Sequence, residues 1–479
     1  MSGQRNDLIE QYRQQVRNTV NGHSWIVATG VVVASLSIAK TLRGLGATKV
    51  LAMGVSRGTG LLENDDDFIQ LLDMGVTDIP DMLEAIRMEE QMLGELPDWV
   101  QDAIDQFDPS HTAHVVGNIY SCHERIGGRR VIGYRPVSWQ ALEDKMIVDD
   151  LWNKSSVPRA PSQIVTLSEC AIDVLWKSIV PTYDWGAGTV WVGDNKNGWH
   201  GGAKMLRWVR DWKDAESAFD FFTASCDTIR LMPFMDGIPC SIHGWVFKGK
   251  TIGLRPCEML IFQREGLSRL TYSGASTNWK PTEQHRQEMV ESVVKVGDYL
   301  RDTVGYRGSF TMDGVMTSQG FLPTELNPRF GGALNRMSSS LPDLPLYLLH
   351  LCTVEDLDLS IDPESFRRLI VDAAEQNPIV RGMYLLEGLY GLDPDECSVL
   401  IDDSGQWYES TDDSQRTLCS LRLGAATAGT FIFADVPTGY VSPGESAAPI
   451  LASLFAFAGK HWSLSIPVLL PSKNAEMGV

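Results

Sequence analysis

The stretch FTMDGVMTSQGFLPTELNPRFGG, residues 310–332, holds three side chains of the types that bind hard cations. Asp313 sits in one apolar run, and Glu325 and Asn327 sit two positions apart in the next. Side chains two apart on a strand point to the same face, so Glu325 and Asn327 project together. With SQG (318–320) as a three-residue hairpin loop, Asp313 lies opposite Glu325 and the three groups converge. Two carboxylates and an amide oxygen suit Mg2+, or Mn2+, when phosphate oxygens and water fill the remaining positions. A nucleoside triphosphate brings those phosphates. Arg329, two residues further on, is placed to clamp a transferring phosphoryl group or a carboxylate. An edge strand with a solvated polar face also accounts for polar residues here. Three metal-type ligands at strand parity, followed by Pro328 and the RFGG turn, favour the site.

Other groups invite weaker readings. His111, His114, Cys122 and His123 lie close in sequence and suggest zinc, but their spacing fits no common closed site and AHVVGNIY between them reads as a core strand. His243, in CSIHGW, reads as a strand histidine rather than a base. The turn Asn197–Gly202 joins two β-rich arms, 188–209, and its Gly198, Gly201 and Gly202 would let backbone N–H groups approach a phosphate; a plain hairpin is the competing reading. GVSRGTG (54–60) lacks the G-x-G-x-x-G spacing and reads as a strand-end loop.

The elements that must position these residues follow from periodicity. From 24 to about 135, β-rich runs (SWIVATGVVV, TKVLAMGV, AHVVGNIY) alternate with amphipathic stretches, which predicts parallel strands with crossover helices. Asp144 and Lys145 open a helix that ends near SSVPRAP, and TIRLMPFMDGIPCSIHGWVFKGKTIGLRPCEMLIF (228–262) is strand-rich. A helix spans about 282–303, and beyond about 376 the composition changes to acidic turns, small residues and one helix candidate. The chain divides on this reading into an α/β unit at 1–135, a nucleotide-binding and catalytic unit at 136–375 and a small α+β unit at 376–479.

Composition bounds the function. A chain of 479 residues exceeds one ordinary core, and 43% hydrophobic with 21% charged residues describes a folded protein. A net charge of -20 with no long basic run argues against nucleic-acid and anionic-membrane partners. Eight scattered cysteines without a C-x-x-C pair indicate reduced thiols, and a polar N-terminus without the apolar centre of a signal peptide points to the cytoplasm. WIVATGVVVASLSIA (25–39) is too short to span a bilayer and reads as a buried strand, a turn and a helix.

The ordered motifs resemble the ATP-grasp superfamily, whose nucleotide site ends with an acidic residue on one strand and E-x-N-P-R on the next; the resemblance runs from about 20 to 345. It implies an N-terminal Rossmann-like domain, an ATP-grasp fold and a small C-terminal α+β domain. It further implies that Lys145 contacts ATP phosphates and that the segment Met232–Met235, including Phe234, faces adenine. Asp313, Glu325 and Asn327 would ligate one or two Mg2+ and Arg329 would steady the transferred phosphate. Arg255 is a second candidate cation at the reacting centre, with an ion pair to Glu258 as the alternative, and Arg307 is similarly placed. One departure is Gly193, near where most members carry a second lysine; Lys196 or Lys204 is expected to replace it. The C-terminal unit and FLPTELNPRFGG look most like the peptide-forming ligases typified by the pheganomycin ligase. The implied reaction joins small-molecule carboxylate and amine substrates, amino acids or peptides, through an acyl phosphate with release of ADP, and a homodimer is the common arrangement. A kinase or carboxylase on the same fold, or a relative without turnover, are the alternatives.

Overall fold

The computed structural model describes residues 2–58, 68–196, 198, 201, 203–410 and 418–472. Its N-terminal part is built on four parallel strands in the order Ile69–Asp73, Lys49–Gly54, Ser24–Ala28, His114–Val116. Three of these are the β-rich runs expected from sequence. WIVATGVVVASLSIA divides as read: strand Ser24–Ala28 ends in a short turn, and helix Val32–Gly44 packs Leu36, Ala39 and Leu42 into the core. Helix Met82–Gly94 starts at Asp81, whose carboxylate caps the N–H groups of Leu83 and Glu84. Strand Ile69–Asp73 follows an acidic run and is largely uncovered along one side, so no apolar alternation announces it. Among the described residues no helix is long and apolar enough to cross a membrane.

The middle of the chain forms two antiparallel sheets. The smaller runs Gln163–Thr166, Thr228–Pro233, Thr189–Gly193, Leu206–Val209, with helix Trp212–Ser225 on one face. Its other face carries an apolar cluster of Val190, Val192, Met232, Leu206, Trp208 and Phe234. The larger sheet begins Gly320–Asn327, Gly308–Thr317, Ile238–Val246, Cys257–Arg264, Leu270–Ser276. Helix Glu283–Val304 runs beneath it and buries Met289, Val293, Val296 and Leu300 against Ile242, Phe310, Met312 and Leu326. Thr282 caps that helix at its start and Gly305, with φ 66°, ends it in the left-handed conformation.

Beyond residue 376 the chain adds strands to the same large sheet: Val380–Glu387 pairs with Leu270–Ser276, followed by Gly429–Val436, Cys419–Ala426, Asp395–Ile401 and Trp407–Glu409. Helix Ala448–His461 covers them through Leu451, Leu454, Phe455 and Ala458. The segment 263–280 carries the end of strand Cys257–Arg264 and the whole of strand Leu270–Ser276, paired antiparallel in this sheet.

Candidate functional site

The hairpin 308–327 sets the geometry. Its turn is the two residues Ser318 and Gln319, since Thr317 pairs with Gly320, and not the three-residue SQG loop. Gly314 then pairs with Pro323, but Asp313 pairs with Glu325, leaving Thr324 as an unpaired extra residue, a β-bulge. Gly314 is required here: a Cβ would come within 2.4 Å of the Leu322 carbonyl oxygen and 2.8 Å of the Pro323 Cα. The Thr324 hydroxyl donates to the Asp313 carbonyl at 3.2 Å. The bulge keeps Leu326 toward the helix-side core and turns Glu325 and Asn327 to the opposite face with Asp313.

On that face Asp313 is held by the hydroxyl of Ser241, its partner on strand Ile238–Val246, and by the Asn327 Nδ2 at 2.8 Å. Burial, and then the nearby Glu325 charge, push its carboxyl up to about 7. Lys145 donates its Nζ to Glu325 Oε1 at 3.0 Å, from the turn preceding helix Val148–Lys154 rather than from a helix. Arg329 donates from Nη2 to Asn327 Oδ1 at 2.6 Å and from Nε to Glu143 Oε1 at 2.9 Å, and its guanidinium lies 4.9 Å from the Tyr120 ring centroid. Burial works against its charge, yet Glu143 holds the group firmly protonated. Glu143 also accepts from Arg135, which donates in turn to the Tyr120 carbonyl at 3.0 Å. A cavity beside Arg329 is walled by Arg135, Trp139, Tyr306, Phe330 and Tyr347.

The donor set fits a divalent cation. Two carboxylates face each other, a lysine ammonium already rests on one of them, and the other is buried, its pKa raised first by that burial and then by the facing Glu325 charge. Asn327 turns Nδ2 to Asp313 and Oδ1 to Arg329, and that Oδ1, with a second lone pair, is the oxygen it would offer a cation.

The neighbouring apolar face carries two of the residues expected near adenine. Met232 is buried in it, and Phe234 stacks on Trp208 with centroids 4.3 Å apart and planes 23° apart. Met235 is buried in the following turn, and the Phe234 N–H is taken by the Gly188 carbonyl. Gly198, with φ 91°, and Gly201 lie in the turn between the two arms, whereas Gly202 lies outside the described residues.

Several expectations are corrected. Lys196 pairs with exposed Asp227, and Lys204 with Asp81 at 2.9 Å. A Cβ at Gly193 would meet Met205, Cys226 and Phe222, on the helix side of the sheet, so that position does not face the cleft. Arg255 is no reacting-centre cation and does not pair with Glu258. Its guanidinium donates to the carbonyls of Pro256, Ala374 and Trp279, while Glu258 accepts from Ser446 and Ala447. Arg307 lies just before strand Gly308–Thr317, six residues and roughly 20 Å along the chain from Asp313, and reaches toward Asp356 at 3.8 Å. The zinc reading also fails: His114 packs on His23 and Trp25, His123 bonds the Glu90 carbonyl, and among the described residues no group of three or more His, Cys, Asp or Glu could hold a metal. His243 is a strand histidine, as read; its Nδ1 meets the Thr311 hydroxyl, and burial lowers its pKa to about 3.

Sequence reasoning missed Tyr120, Arg135, Glu143, Ser241 and Arg230. The one signal available was an arginine inside an apolar strand, as in TIRLMP (228–233), which demands a partner from elsewhere in the chain.

The sequence matches no protein-family model, and no curated protein matches it significantly. Among solved structures, the biotin carboxylase–β-γ-ATP complex from Campylobacter jejuni matches with a TM-score of 0.56 at 13% identity, over 96% of this chain and 95% of that one. The biotin carboxylase domain of Hydrogenobacter thermophilus 2-oxoglutarate carboxylase, with MgADP, ADP and bicarbonate, matches at 0.54 and 14% identity over 86% of each chain. An L-amino acid ligase from Bacillus licheniformis matches at 0.48 and 12% identity, over 94% of this chain and 98% of that one. The chain has the ATP-grasp fold, in a mixed α/β multidomain arrangement.

Proposed function

We propose that this protein is an ATP-dependent carboxylate–amine ligase that forms amide bonds through an acyl phosphate. The observation that carries the reading is the convergence of Asp313, Glu325 and Asn327 on one sheet face, with Lys145 and Arg329 in contact with them. ATP would lie with its base against Met232, Phe234 and Trp208 and its phosphates toward that set. One or two Mg2+, held by Asp313, Glu325 and Asn327, would draw charge from the phosphates. A substrate carboxylate oxygen attacks the γ-phosphorus, the bond to the β,γ-bridging oxygen breaks, and ADP leaves. An amine then attacks the acyl carbon, and inorganic phosphate departs as the amide forms. Arg329 is aimed by Glu143 and Asn327 before substrate arrives, so its charge offsets that of the transferring phosphoryl group without reorganisation. No Ser–His–Asp set is needed, because the work is positioning and charge compensation. We place the acid beside Arg329, where Arg135 is a second cation, and infer an amino acid or peptide as the substrate class. The FLPTELNPRFGG motif supports a place among the pheganomycin-type peptide ligases.

The test is ADP formation from ATP and Mg2+ across a panel of amino acids and aromatic acids, with hydroxylamine trapping acyl phosphate as a hydroxamate. Hydroxamate in step with ADP is expected with the true acid, and Glu325→Gln abolishes both while the protein stays folded. Hydroxamate formation by that variant at the wild-type rate, with normal Mg2+ dependence, sinks the assignment. Consumption of bicarbonate in place of an amine would mark a carboxylase.

A further inference from the structure

The bulge that aims Glu325 is held from outside its own hairpin. Arg230 and Met232 are two apart on strand Thr228–Pro233, so Arg230 shares the cleft face with the adenine-side cluster rather than the helix face. Its side chain is 1% exposed. From Nη1 it donates to the Thr324 carbonyl at 3.2 Å, the carbonyl of the bulged residue immediately before Glu325. Its other edge grips Asp149 bidentately, Nε to Oδ2 at 3.1 Å and Nη2 to Oδ1 at 2.6 Å. Asp149 belongs to helix Val148–Lys154, just beyond Lys145, and is itself held by the Ser162 hydroxyl. Two cations thus fix neighbouring atoms of one short segment: Arg230 the Thr324 main chain, Lys145 the Glu325 side chain.

A bulge re-aims the side chain beside it, and a planar guanidinium locked on a carboxylate is a rigid stop for a carbonyl. We propose that Arg230, anchored by Asp149, is a positioning residue that fixes how Glu325 meets the divalent cation and ties the nucleotide-bearing strand to the metal site. The proposal rests on the reading of Asp313, Glu325 and Asn327 as metal ligands. It predicts coupling in one direction: disturbing Arg230 weakens the contribution of the metal to nucleotide binding, and leaves the nucleotide's own contacts alone.

The test is calorimetric titration of the full chain with ADP, in EDTA and in millimolar Mg2+. In the wild type Mg2+ should tighten ADP binding, and Glu325→Gln should remove the tightening. Arg230→Met should reduce it about tenfold, the range for losing a support behind a metal ligand, with metal-free ADP affinity within about twofold of wild type. Arg230→Lys, which reaches the carbonyl without the bidentate grip, should recover part of it. Asp149→Asn, which keeps the guanidinium in place, serves if Arg230→Met does not fold and should show the same effect, smaller. Loss of metal-free ADP affinity in Arg230→Met would make the residue a direct phosphate contact and overturn the proposal. A lowered melting temperature with the Mg2+ effect intact would make the pair purely architectural and overturn it too. If Glu325→Gln keeps the tightening, the metal reading itself falls; if only Arg230→Met and Asp149→Asn keep it, the positioning role alone falls.

Discussion

Replacing Glu143 with Gln asks whether Arg329 is aimed by one buried carboxylate. Glu143 is 1% exposed and its Oε1 accepts from both Arg329, at 2.9 Å, and Arg135. Glutamine keeps the shape and one acceptor oxygen but removes the charge, leaving two buried guanidinia against a neutral amide. Hydrogen bonds to charged partners contribute about 1.5–3 kcal/mol each, and removing one member of a buried pair costs about 3–5 kcal/mol because the remaining charge is stranded. With part of each bond retained, about 3 kcal/mol is expected, a fall in melting temperature of roughly 6–12 °C if a unit of 150–250 residues unfolds cooperatively. The activity effect is separate: Arg329 loses its Nε anchor and keeps only Asn327, so hydroxamate formation should fall by about one to two orders of magnitude, less than the ~10²–10³ for outright removal of one transition-state donor. A double variant, Glu143→Met with Arg135→Met, removes one of the two stranded guanidinia. It should regain the part of the stability that the stranded Arg135 costs, without regaining activity, since Arg329 still lacks its anchor. Full activity in the double variant would show that Arg329 needs no carboxylate to hold it. A melting shift under about 1 °C in Glu143→Gln would refute the stranded-charge estimate.

Gly193→Lys should not strengthen nucleotide binding: its Cβ would lie 3.0 Å from the Met205 Cε and 3.1 Å from the Cys226 Sγ, so calorimetry should show unchanged MgADP affinity and thermal melts a loss of about 1–3 kcal/mol. Tighter MgADP binding would place residue 193 in the cleft after all. Trp208→Ala removes the ring on which Phe234 stacks and should weaken metal-free ADP binding by about 0.5–1.5 kcal/mol, two- to twelvefold, without changing the Mg2+ effect. Unaltered ADP affinity would remove the apolar face as the base platform. Stability should also fall as pH rises, because burial raises the Glu258 carboxyl from 4.5 to about 7: the protonated folded form is favoured below 4.5 and that advantage is lost through about 7, at most ~3 kcal/mol. Glu89, raised to about 7 by burial, has the same sign, so Glu258→Gln should flatten the melting-temperature slope between pH 5 and 8 only in part. An unchanged slope would show that Glu258 does not titrate in that window.

The parallel strands near the N-terminus and helix Glu283–Val304 were legible because their periodicity is local: β-rich runs between amphipathic stretches, and a 3.6-residue stripe bounded by Thr282 and Gly305. Charged residues in apolar strands were legible as anomalies but not as roles. Arg255 in GLRPCEM and Arg230 in TIRLMP present the same signal, a guanidinium that must find acceptors, and sequence cannot say where they lie. Arg255 finds main-chain carbonyls as distant as Ala374, which makes it architecture; Arg230 finds Asp149 and the bulge beside Glu325, which brings it to the site. Glu143 gave no signal at all, since an acidic residue at the end of a short helical turn is ordinarily solvated, and only the fold buries it between Arg135 and Arg329.

The register of the metal hairpin shows how a correct pairing can follow from an incorrect turn. A three-residue loop and an unbroken ladder put Asp313 opposite Glu325; so do a two-residue loop and one extra residue at Thr324, the arrangement found. A two-residue loop without the bulge would pair Asp313 with Thr324 and Glu325 with Met312, turning Glu325 into the apolar layer over helix Glu283–Val304. Burying an unpaired carboxylate there costs several kcal/mol, more than the lost ladder bond of a bulge, so hydrophobic patterning alone drives the chain to insert one. Gly314 admits the close approach of the Leu322 carbonyl, and Pro323, which has no N–H to leave unpaired, sits where the ladder breaks. MDG and LPTE are therefore one device written on two strands, and the Thr324 carbonyl that the bulge frees is the atom Arg230 holds.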